Sequence, residues 1–182
     1  MELVHNEIPV DFLRHMPEGV KLVNRHGHEF LVVEDLRSPA GTRLMSDSVR
    51  IHGEPSIRLG VRIGDTSGLI FLDAYWGSHA KLYSFMPSGE FSGKLVEAYV
   101  PETGESLMAD YTCNVEGCTC DKGIEFRLPG KGNTVRVCGR LGCPGHRLVL
   151  GDLAKPIVDT ISGINFFGAG SLDEDWFDHP NG

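Results

Sequence analysis

The chain has 182 residues, 41% of them hydrophobic, and a formal net charge of −8. That is enough apolar material for one sizeable domain, which excludes wholesale disorder. No stretch approaches the roughly 18 apolar residues of a membrane-spanning helix, and the acidic balance disfavours general nucleic-acid binding because it repels phosphate backbones. The opening "MELVHNEIPVDF" carries early acids and no apolar signal-peptide core, so a cytoplasmic setting without a membrane segment is expected.

In chain order, "IPVDFLRHM" reads as one short helix closed by Pro17 and Gly19. "VKLVNRHGHEFLVVEDL" reads as a strand pair or one long strand, with Gly27 as the break. "SVRIHG", "SIRLGVRIG", "GLIFLDAYWG", "AKLYSFMP" and "KLVEAYVP" follow as short strands rich in Val, Ile, Tyr and Phe. In the second of these, Ile57, Leu59, Val61 and Ile63 alternate with polar or small residues. A period of two places them on one buried face. The expected fold class is mostly β, with residues 1–110 forming an antiparallel sheet or small barrel. Tyr75, Trp76 and His79 belong to an aromatic set that packs this sheet or lines a pocket.

Residues 111–150 form a second expected unit. "GIEFRL" and "TVRVCG" alternate around the turn "PGKGN", the pattern of a hairpin whose ends carry cysteine. Residues 151–182 complete the division, with a short helix from about Pro156 stopped at Gly163. Beyond it runs an acidic tail with Asp173, Glu174, Asp175 and Asp178. There Trp176 and Phe177 could anchor a docking peptide to a protein partner.

The five cysteines are not scattered. "TCNVEGCTCD" and "VCGRLGCPGH" both contain C-x-x-x-G-C, and Cys138 and Cys143 each stand 25 residues after Cys113 and Cys118. In a hairpin the start of the first strand lies beside the end of the second, so the two pairs converge. Four converging thiolates make the tetrahedral set of structural zinc. A glycine before each second cysteine suits a tight turn with positive φ. The ligand set expected first is Cys113, Cys118, Cys138 and Cys143, with Cys120 and His146 as alternatives for one member of each pair. An odd thiol count without an export signal argues against disulfides. Iron bound by the same four sulfurs would instead make an electron carrier. A nucleophilic Cys120 with His146 as base is the remaining chemical option.

Knuckle, hairpin, knuckle resembles a zinc ribbon over residues 111–147, although its knuckles are two residues longer than the usual C-x-x-C. The resemblance implies a closed structural zinc site rather than a catalytic one. Two further stretches, "SPAGTRLM" and "VPETGESLM", look like knuckles in which Ser38 and Gly41, and Val100 and Thr103, occupy the cysteine places. They read equally as ordinary Pro-Gly turns.

A competing motif is "RHGHEFLVVEDLRSPAG", where His26, His28 and Glu34 between glycines resemble the first cupin motif, misspaced and without its second half. That resemblance implies a metalloenzyme or sugar-binding barrel. The leading functional expectation is a zinc-stabilised, non-enzymatic binding or assembly module with a protein partner. The sequence indicates neither that partner nor an oligomeric state.

Overall fold

The computed structural model describes residue 3 and residues 7–76, 78, 80–86, 88–143, 145–151 and 153–164. His79, the four tail acids, Trp176 and Phe177 lie outside the described residues. A short helix α1, Val10–Arg14, begins directly after Pro9 and buries Phe12. It is followed by the hairpin β1, Val20–Arg25, and β2, His28–Val33. The two-residue connection is His26-Gly27, with φ of 53° and 81°. Positive φ at both central positions is the type I′ geometry that matches strand twist. Histidine is among the few non-glycine residues that enter this region readily.

The same device recurs between β3, Met45–Ile51, and β4, Glu54–Ile63, where His52 and Gly53 have φ of 51° and 82°. β4 is the spine of the larger sheet. One edge pairs with β5, Thr66–Leu72, which in turn pairs with β6, Lys81–Tyr83. Its other edge is shared by β3 and, further along, by β7, Glu97–Tyr99. The alternation in β4 has the expected result: Ile57, Leu59, Val61 and Ile63 are all buried, while Arg62 is exposed.

A second antiparallel sheet has the order β11-β10-β9-β8, formed by Met108–Asp110 (β8), Lys122–Arg127 (β9), Thr134–Cys138 (β10) and His146–Val149 (β11). The fold is thus mostly β, in three antiparallel sheets among the described residues, none closed into a barrel. An isolated main-chain bridge fastens the β2–β3 connection to β9, with Arg37 N–H to Arg127 O and Arg127 N–H to Arg37 O both at 2.8 Å. One continuous apolar cluster runs from Phe12 through Val61 and Phe126 to Ile161. The final helix α2, Lys155–Ile164, buries Val158 and Ile161 and packs on β11. Its described end, Ile164, lies one residue past Gly163, where the sequence suggested a stop.

Candidate metal centre

The β9–β10 hairpin brings its two feet together as the spacing requires. Cys138 ends β10 directly opposite Gly123 of β9. Cys113 and Cys118 lie in the segment that leads into β9. Cys113 N–H donates to Cys120 O at 3.3 Å, folding this segment back on itself. Cys113 Sγ lies 3.6 Å from Cys143 Sγ, and Cys118 Sγ lies 3.8 Å from Cys138 Sγ. All four sulfurs fall within 4.8 Å of one another. A tetrahedral ion bound at about 2.3 Å requires sulfur–sulfur edges of about 3.8 Å. The spacing is far longer than the ~2.05 Å of a disulfide, and all five cysteines are free.

Two matching turns build this arrangement. Cys118 N–H donates to Val115 O at 3.0 Å and Cys143 N–H to Arg140 O at 3.1 Å. The residues before each second cysteine, Gly117 and Gly142, have φ of 82° and 86°. Positive φ at the third position of a four-residue turn defines type II, which favours glycine there. The turns then aim backbone donors at sulfur: Cys120 N–H at Cys118, Arg140 N–H at Cys138, and Gly145 N–H at Cys143. Such contacts orient ligands and temper the charge that four thiolates bring to one ion. Gly145 is required for a further reason, since a Cβ there would sit 2.6 Å from Cys113 Sγ.

The thiols differ in acidity. The Cys120 N–H pulls Cys118 below the ordinary thiol value. Burial pushes Cys143 up to about 11 and Cys138 higher still. The ring of Tyr111 packs beside the cluster, its hydroxyl pushed up to about 12 by burial and then by the thiols of Cys113 and Cys138. Arg147 lies over that ring, 5.9 Å from its centre. Near neutral pH the metal-free site therefore holds protons that an incoming cation must displace.

The alternative ligands fall elsewhere. The Cys120 thiol donates to Lys122 O at 3.2 Å and stands outside the four-sulfur group. His146 opens β11 opposite Val137, buried but also outside that group. Among the described residues, the four cysteines are the one cluster of three or more His, Cys, Asp or Glu side chains this close. His26 occupies the β1–β2 turn and His28 starts β2, whereas Glu34 follows its far end. Six residues of strand at about 3.3 Å each put His28 and Glu34 roughly 20 Å apart, so the three do not meet.

The two cysteine-free knuckle look-alikes are neighbours. Gly41 N–H donates to Ser38 O at 2.9 Å, and Gly104 N–H to Val100 O at 2.8 Å. The Glu105 carboxylate joins the loops by accepting from Ala40 N–H at 2.9 Å.

One polar cluster drew no attention in the sequence. The fully buried Asp73 carboxylate faces His52 Nδ1 and accepts from Ser78 Oγ, both at 2.6 Å, and from Tyr75 N–H at 3.1 Å. It fastens the β3–β4 turn to the end of β5. The signal available was the second His-Gly pair, at 52–53.

No protein-family model matches this chain, and neither the curated proteins nor the solved structures contain a match.

Proposed function

We propose that the chain is a zinc-stabilised, non-enzymatic binding or assembly module, and that Cys113, Cys118, Cys138 and Cys143 are the zinc ligands. The observation that carries this reading is the pair of sulfur contacts at 3.6 and 3.8 Å at the feet of one hairpin. Four protein ligands close the coordination sphere, and a closed sphere is the mark of a structural rather than a catalytic site. The knuckle-hairpin-knuckle order over residues 111–147 resembles a zinc ribbon and supports zinc over iron. Zinc would tie down a segment that includes the edge strand β11 and one wall of the apolar core. The module would act on a protein partner in the cytoplasm, without a membrane and without general nucleic-acid binding. No helix among the described residues is long and apolar enough to cross a membrane.

Elemental analysis of the purified chain tests the reading. One zinc per chain, lost in Cys138→Ser, is the expected result. One iron with a red colour would replace the assembly module by an electron carrier. A folded chain free of metal, with five titratable thiols, would end the metal reading.

A further inference from the structure

A half-open cavity of about 220 Å³ lies between the two larger sheets. Its walls are mostly apolar: Leu59, Val61 and Ile70 from one sheet face Phe126, Val135 and Val137 from the other. Tyr75 and Trp76 complete it beside β5, and the second knuckle, including Cys138 and Cys143, closes another side. The Trp76 indole is held in place by its N–H, which donates to Ile161 O of α2 at 3.2 Å.

An apolar cavity of about 150 Å³ stays dry and takes benzene, a guest of six non-hydrogen atoms. In proportion, this cavity suits a guest of roughly nine. The polar lining is of mixed sign. Both Asp73 oxygens already take part in hydrogen bonds, Oδ2 with His52 and Ser78 and Oδ1 with Tyr75 N–H. Lys81 and Arg140 also stand in the lining. Most of the wall is apolar, so an ion entering here would lose water over most of its surface.

We infer that this cavity is a binding site for an uncharged, largely apolar small molecule of about that size, held between the sheets against Trp76. The site goes beyond the metal reading and does not depend on it, because its occupancy can be read on the chain whatever metal is bound.

The test uses 1-octanol, which has nine non-hydrogen atoms, and the full-length chain carrying Trp176→Phe, so that Trp76 is the sole indole reporter. Saturable, one-site quenching or shift of Trp76 emission is expected, with octanoate at least tenfold weaker. Ala80→Leu projects bulk into the cavity and should weaken octanol at least tenfold while leaving metal content unchanged. Val61→Phe is the second filling variant, and melting temperature confirms which of the two is folded. Absence of saturable octanol binding to the folded chain would overturn the inference. So would unchanged affinity in a folded filling variant, or octanoate binding as tightly as octanol.

Discussion

Substituting Gly145 by Ala perturbs the cluster without touching a ligand. The backbone there has no positive φ, so alanine brings no conformational strain of its own. Its Cβ would stand 2.6 Å from Cys113 Sγ. Comfortable heavy-atom contacts begin near 3.5 Å, so either the sulfur or the knuckle must move by about 1 Å. If the sulfur moves, the error exceeds the ~0.2 Å that metal–ligand distances tolerate. If the knuckle moves, it carries Cys143, whose sulfur takes the Gly145 N–H, and the 2.8 Å bond from Cys138 N–H to Gly145 O. Disturbing such supports costs 10–100-fold in metal affinity, or about 1.4–2.7 kcal/mol. Competition against a chromophoric chelator at fixed pH measures this directly. Gly89→Ala is the control, since nothing lies within 4 Å of a Cβ there. Wild-type affinity in Gly145→Ala would refute the reasoning.

Cys120→Ala is expected to keep one metal per chain, because residue 120 serves the site through its backbone N–H, whereas Cys118→Ala loses the metal; native mass spectrometry reads both. Asp73→Ala strips the buried partner from Tyr75 N–H, Ser78 and His52. It should cost about 3–5 kcal/mol, or roughly 10 °C in melting temperature for a chain of this size, and a loss under about 1 kcal/mol would count against the network. The metal-free chain should lose stability as pH rises from about 9 toward 11. The fold holds the Cys143 proton more tightly than the unfolded chain does, so deprotonation favours unfolding. Cys138 acts in the same direction; Cys118, shifted down, opposes it. Metal affinity should rise with pH, because metal and protons compete for the same sulfurs. Denaturation midpoints and chelator competition at several pH values check both trends.

Patterns with a short period were legible in the sequence. Alternation located the buried face of β4, since burying one face of a strand writes a two-residue period into it. The repeated C-x-x-x-G-C located the sulfur cluster, because a hairpin makes residues distant in sequence neighbours at its feet. The two turn glycines adopt the positive φ expected of them. Strands held by long-range pairing were less legible. β8 and β11 have three and four residues, too few to show a period, and are held by the strands beside them. β7 was expected as a strand within "KLVEAYVP", but its partner was not: it joins β4 across 35 residues of sequence separation between Glu97 and Arg62, which no local pattern records. The His26-x-His28 pair resembles a metal motif by residue type, yet His26 supplies the left-handed backbone of a two-residue turn. The role of residue 120 was hidden because a backbone N–H leaves no trace in residue identity. The cavity was hidden because it depends on how two sheets face each other.

X-ray absorption at the metal edge tests the central claim most directly. The account predicts a single shell of four sulfur scatterers at about 2.3 Å, unchanged in Cys120→Ala. A shell containing nitrogen or oxygen, or one with three sulfurs, would contradict it.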